Sequence, residues 1–230
     1  MKRWWLVLAV MCLCLSPGVE AAVQISDYLT NATFDVAWTG SDDGVSSLYS
    51  PMGDQPAATH GWQCWADATG GGYYIDSYAN VEDTSPSMAY MQLHAGAGDI
   101  RMWQDVGCDL AAGETYQVAF KYRQFSQGTD IRDTADLDVF WGLYDGSMHD
   151  VVSISKATID STWQTYSYSF TYDGSQGETI AANSWVLAFR VTNGTSGVPS
   201  GVTIDSLASV PEPMTMGLLA FGWLLVRRRR

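Results

Sequence analysis

Arg101, Trp103 and Asp105 stand at alternate positions of the segment from Asp99 to Val106, interleaved with Ile100, Met102, Gln104 and Val106. Successive side chains of an extended chain point to opposite faces. The spacing therefore predicts one largely apolar face and one face bearing a cation, an indole and a carboxylate. An indole stacks its flat apolar surface on the C–H face of a sugar ring, while guanidinium and carboxylate groups bond the hydroxyls. A later alternating stretch offers Asp138, Phe140 and Tyr144 on its non-core face. Trp62, Trp65, Tyr73, Tyr74 and Tyr78 read as loop aromatics, material for a second contact area at the molecule's edge. The plainer alternative has Trp103 covered by a loop and Arg101 paired with Asp105 across the face.

Catalytic constellations are harder to find. His60, His94 and His149 are isolated, with no H-E-x-x-H spacing for zinc and no G-x-S-x-G elbow anywhere. A glycoside hydrolase needs two carboxylates facing each other across a cleft. The body's glutamates, Glu82, Glu114 and Glu178, are scattered. Asp130, Asp133, Asp136 and Asp138, like Asp42-Asp43-Gly44, read as solvated acidic loops. The expectation is a binding protein without catalytic residues.

Charge narrows the partners. Between Ala22 and Val210 six basic residues face 23 acidic ones, a net of −17 within a whole-chain charge of −13. So acidic a body repels phosphate backbones, which excludes nucleic acid as a partner.

The elements that must position these residues are strands. Tyr116, Val118, Phe120 and Tyr122 alternate with polar or small residues. Tyr166, Tyr168, Phe170 and Tyr172 do the same, as do Leu137, Val139, Trp141 and Leu143, and Trp185, Leu187, Phe189 and Val191. Alternation of this kind buries one row and leaves the other to solvent. Gly70-Gly71-Gly72, Ala112-Gly113, Asp145-Gly146, Asp173-Gly174 and Asn193-Gly194 punctuate the strands as turns. No stretch of the body sustains a helical period. The fold class expected is all-β: a single β-sandwich of jelly-roll type over residues 22–209, with about nine to eleven strands.

The two ends read as addresses. Lys2 and Arg3, the apolar run Trp4 to Leu15, the breaker Ser16-Pro17-Gly18, and the small residues Val19 and Ala21 form a secretory signal peptide over residues 1–21. Its cleavage removes Cys12 and Cys14 and leaves Cys64 and Cys108. An even pair in an oxidising compartment predicts one disulfide, with two free thiols as the alternative. Closing a loop of that length contributes about 4 kcal/mol in the chain-entropy account. At the other end Pro211, Glu212 and Pro213 precede an apolar run from Met214 to Val226, and then Arg227, Arg228, Arg229 and Arg230. Thirteen helical residues cover about 20 Å, short of a comfortable span, and the arginines resist translocation.

That order of Pro-Glu-Pro, apolar helix and basic end over residues 210–230 resembles the bacterial PEP-CTERM sorting signal. The resemblance implies handling by an exosortase-type membrane transpeptidase, transient retention at the inner membrane, and delivery to the cell surface or extracellular matrix. A plain anchor helix is the alternative. The body is similar to galactose-binding-like jelly rolls and carbohydrate-binding modules. The matching pieces, in order, are Leu29-Thr30-Asn31-Ala32-Thr33-Phe34-Asp35 with Trp38, Ile100 to Gln104 with Leu110-Ala111-Ala112-Gly113-Glu114-Thr115-Tyr116, Trp163-Gln164-Thr165-Tyr166, and Val202-Thr203-Ile204-Asp205. This likeness implies a structural calcium at Asp35 and Asp205, and hard carboxylate oxygens suit that ion. The function expected is non-catalytic binding to extracellular polysaccharide. The rivals are a matrix protein with no small ligand and a jelly-roll hydrolase or lyase.

Overall fold

A computed structural model describes residues 21–30, 32–34, 61–67, 73–78, 88–93, 98–127, 130–131, 133–195 and 197–210. The signal peptide up to Glu20, the Pro-Glu-Pro tail and Asp35 lie outside the described residues.

The strands in chain order are β1 (Val23–Gln24), β2 (Gln63–Asp67), β3 (Tyr73–Tyr78), β4 (Met88–Leu93) and β5 (Asp99–Asp105). Then come β6 (Leu110–Ala111), β7 (Thr115–Gln124), β8 (Ser126–Gln127), β9 (Asp130–Ile131) and β10 (Asp136–Leu143). The last are β11 (Met148–Ile154), β12 (Gln164–Thr171), β13 (Thr179–Ile180), β14 (Trp185–Thr192) and β15 (Ser200–Ala208). Two sheets make the sandwich. One has the order β1-β7-β15-β4-β3 with β12 also paired to β7; the other runs β11-β10-β14-β5-β2. Helical structure among the described residues is limited to single 3₁₀ turns at Ile25–Tyr28 and Lys156–Thr158. The all-β sandwich expected from the alternating pattern is the fold. Of the fifteen strands among the described residues, β6, β8, β9 and β13 are two-residue pairings outside the main sheets, which accounts for the excess over the expected number.

The alternating rows meet between the sheets. Tyr116, Val118, Phe120 and Tyr122 of β7 face Leu187, Phe189 and Val191 of β14, and all are buried. Phe120 and Phe189 meet edge to face across the gap, centroids 5.0 Å apart at 80°. Trp141 stacks on Phe170 at 5.7 Å, and Tyr116 meets Trp185 edge-on at 5.6 Å. Each such side chain contributes about 1.5–3 kcal/mol by leaving water. Their polar tips find partners, as burial requires. Tyr116 Oη accepts from the Ala111 N–H at 2.7 Å and donates to the Asp109 carbonyl at 2.9 Å, while Trp185 Nε1 donates to the Cys108 carbonyl at 2.7 Å.

Gln104 is the polar exception in the core row of β5. Its amide donates to the Thr30 carbonyl at 2.7 Å and accepts from the Thr30 N–H, tying the incoming chain to the sandwich. Gly61 makes room for this tie. A Cβ there would lie 2.9 Å from Thr30 Cβ and 3.0 Å from Gln104 Nε2, and its φ of +80° already favours glycine.

The disulfide expected between Cys64 and Cys108 is not formed, because Cys108 is a free thiol. Register explains the difference. Cys64 pairs opposite Met102, whereas Cys108 lies beyond the strand end at Asp105. Three residues of strand alone cover about 10 Å, past the Cα separation a disulfide spans. Burial, and secondarily the Asp109 carboxylate, push the Cys108 thiol up to about 11.

The two ends of the described body meet at one pole. β1 runs parallel to β7 at Tyr116 and Gln117. Gln24 Oε1 accepts from the Val210 N–H at 2.6 Å, and Ser209 Oγ donates to Asp27 at 2.8 Å.

Candidate binding cleft

The outer face of the five-stranded sheet carries three short rows of side chains. Residues directly opposite in a ladder share a face. In the central row Phe140, Ala188 and Trp103 stand side by side on β10, β14 and β5. On one side lies the row Asp138, Arg190 and Arg101; on the other lie Gly142, Val186 and Asp105. The small Ala188 between two aromatic rings makes a trough. It deepens into a cleft of about 300 Å³ lined by Gln63, Arg101, Trp103, Phe140, Gly142, Leu143, Tyr144, Gly146, Ser147, Val186 and Ala188. Phe140, Val186 and Ala188 form a small hydrophobic cluster of their own, with Trp103 and Met148 packed against it.

The hairpin from β10 to β11 closes one end of the trough. Asp145 Oδ1 accepts the Ser147 N–H at 2.8 Å, and the Ser147 hydrogen bonds hold the Asp145 carboxyl below its ordinary value. Gly142 lets this turn lie close, since a Cβ there would sit 2.6 Å from the Ser147 carbonyl oxygen. Tyr144 then reaches over β14 and donates its hydroxyl to Asp105 Oδ1, to which Gln63 Nε2 also donates at 3.5 Å. Tyr144 is 59% exposed, and its hydroxyl is held by Asp105. Burial of that hydroxyl, reinforced by Asp105, raises it to about 12.

An ionic network holds the other end. Arg190 Nε and Nη2 donate to Asp138 Oδ2 at 2.8 and 2.5 Å, and Ser153 Oγ donates to Asp138 Oδ1 at 2.5 Å. Arg190 Nη1 also lies 3.5 Å from Met148 Sδ and 3.9 Å from Asp99. Arg101 pairs with Asp99 at 2.8 Å rather than with Asp105.

Of the residues anticipated from sequence, Arg101, Trp103, Phe140 and Tyr144 line the cleft, and Asp105 borders it through Tyr144. Asp138 does not line it: 3% exposed, it anchors Arg190. Trp65 pairs opposite Arg101 on β2, the edge strand of this sheet, and Tyr73 begins β3, the edge strand of the other sheet, so both stand on strands rather than in loops. Trp62 is no surface aromatic either; it is buried and stacks on Phe34 at 5.2 Å. Asp205 is buried on β15 opposite Lys121. Among the described residues no group of three His, Cys, Asp or Glu side chains converges as a metal site. The floor residues Val186 and Ala188 and the hairpin residues Gly142 and Ser147 had not been anticipated. Gly142 inside a strand was their one visible signal.

No protein-family model matches the chain, and no curated protein matches it in sequence. Solved structures match it at low identity. An arabinose-bound GH51 α-L-arabinofuranosidase, 12% identical with a TM-score of 0.51, aligns with 81% of this chain and 28% of its own, so the present chain spans little more than a quarter of that enzyme. The Stig cyclase Fisc from Fischerella sp. TAU is 15% identical with a TM-score of 0.50, over 78% of this chain and 93% of that one. A family 11 carbohydrate-binding module from Clostridium thermocellum, in complex with a β-1,3-1,4-mixed-linked tetrasaccharide, is 13% identical with a TM-score of 0.42, over 68% and 91%. At these identities the likeness is one of fold.

Proposed function

We propose that this protein binds extracellular glycan, without catalysis, through the cleft on its five-stranded sheet. The observation that carries the reading is the convergence of Trp103, Arg101, Gln63 and Tyr144 around an apolar floor in a cleft of about 300 Å³. Small-ligand sites combine an apolar lining with a few placed polar groups, and their volumes begin near about 300 Å³. The carboxylates bordering the cleft speak for binding over hydrolysis. Asp99 and Asp138 are held by arginines and Asp105 by Tyr144, whereas a glycosidase keeps a pair of carboxyl groups about 5–9.5 Å apart for the reaction.

The same proposal places the protein outside the cytoplasm. Residues 1–21 direct export, and residues 210–230 hand the protein to an exosortase-type transpeptidase for delivery to the surface or matrix. It includes a structural calcium at Asp35 and Asp205, carried by the likeness of those positions to the jelly-roll pattern; a melting temperature unmoved by a chelator removes that part. The main test is a glycan array on the exported protein, with titration calorimetry on its hits. Binding that disappears in Trp103→Ala supports the reading. Silence across a broad panel leaves the rival, a matrix protein without a small ligand.

A further inference from the structure

Two features of the cleft have no part in general glycan affinity: it is walled at both ends, and each of its arginines is paired with a carboxylate. Along β14 the trough begins under the hairpin, where Tyr144 crosses to Asp105, and stops at Arg190, tied to Asp138 and lying against Met148. Sideways it is confined between Trp103 and Phe140, which flank Ala188 in one row. A chain running through such a trough would have to displace either the Tyr144–Asp105 contact or the Arg190–Asp138 ion pair. Gly142 seats the hairpin directly on the sheet, and Asp138 is only 3% exposed.

The electrostatics are equally specific. Arg101 and Arg190 are matched by Asp99 and Asp138, and Asp105 adds a further negative charge. The site thus offers no uncompensated cation to a carboxylate, in a body of net charge −17 between Ala22 and Val210. Bringing a uronic acid into it adds like charge beside Asp105, which is unfavourable.

Resting on the glycan-binding reading, we infer that the cleft takes one uncharged terminal sugar residue, inserted end-on, with the rest of the glycan leaving into solvent. The ring packs against Trp103 over the floor of Ala188 and Val186. Gln63, Arg101 and the Tyr144–Asp105 pair meet its hydroxyls. The 300 Å³ volume, at the lower limit for small-ligand sites, suits a single ring rather than a run of them.

The test uses the mature exported protein and, as probes, methyl glycosides of neutral hexoses and 6-deoxyhexoses, their matching uronic acids, and tetrasaccharides ending in the same residues. Titration calorimetry reads the affinities. The expected result is a neutral methyl glycoside that binds within about threefold of its tetrasaccharide and better than its uronic acid. A tetrasaccharide more than about tenfold tighter than the methyl glycoside overturns the inference, because further residues must then be held. A uronic acid that binds more tightly than its neutral counterpart overturns it as well. Either of those outcomes leaves glycan binding itself standing, whereas no heat with any probe, together with an empty glycan array, defeats both. Trp103→Ala serves as the control. It must weaken methyl glycoside and tetrasaccharide equally if a single ring occupies the site, and unequally if the chain extends past it.

Discussion

Replacing Arg190 with methionine tests whether the polar end of the cleft is a buried, structure-bearing network. Asp138 accepts two hydrogen bonds from Arg190, at 2.8 and 2.5 Å, and its side chain is 4% exposed. Arg190→Met leaves that carboxylate with the Ser153 hydroxyl alone. Stranding one member of a buried pair costs about 3–5 kcal/mol, most of it the desolvation of the remaining charge. Arg190 itself is 20% exposed, so water reaches the pair and the lower figure, about 3 kcal/mol, is expected. For a body of this size each kcal/mol moves Tm by about 2–4 °C, which predicts a fall of about 6–12 °C. Asp138→Leu should cost less, since the orphaned guanidinium keeps solvent contact and Asp99 at 3.9 Å. The double variant, free of both charges, should recover to within about 1 kcal/mol of the parent. Urea unfolding with an unchanged m-value, and calorimetric Tm, give the four corners of the cycle. A loss below about 0.5 kcal/mol in Arg190→Met, the value of an exposed ion pair, would refute the reasoning.

Three other outcomes follow from the geometry. Tyr144 titrates at about 12, above the ordinary value for tyrosine. Its hydrogen bond to Asp105 is therefore intact below about pH 10 and is lost as pH rises through about 12; the tyrosinate absorbance difference between wild type and Tyr144→Phe should appear only in that range, and a difference centred near 10 contradicts it. Gly142→Ala places a Cβ 2.6 Å from the Ser147 carbonyl and should cost about 1–3 kcal/mol while weakening ligand binding, and a stable variant with unchanged binding would show the hairpin does not shape the cleft. Cys108, raised to about 11, should alkylate slowly at neutral pH in the native protein and fully after denaturation without reductant; a Cys64–Cys108 cross-linked peptide in a non-reduced digest overturns this.

Period-two alternation made the sandwich legible, because burial of one face leaves a mark on every second residue. Each of the four alternating rows supplies buried core residues, and the polar partners of Trp103 fell on the outer face as the parity of β5 requires. What the sequence could not convey was strand order. Tyr144 meets Asp105, and Arg190 meets Asp138, only because β14 lies between β10 and β5. That neighbourhood joins segments about 40 to 50 residues apart and leaves no local pattern. Trp62 was misplaced for a related reason: its short stretch carries no clean alternation, and its partners Phe34 and Phe189 are distant in sequence. The even number of cysteines suggested a pair, but cysteine count says nothing of register, and register keeps Cys64 opposite Met102.

The bond between Gln24 and Val210 has a consequence for engineering. With the first and last segments of the body side by side, a short peptide could join them, and new ends could be opened at the exposed Asp173-Gly174 turn. Domains whose termini adjoin tolerate such circular permutation. The rearranged polypeptide would keep β5, β10 and β14 unbroken, and with them the strands that floor and flank the cleft.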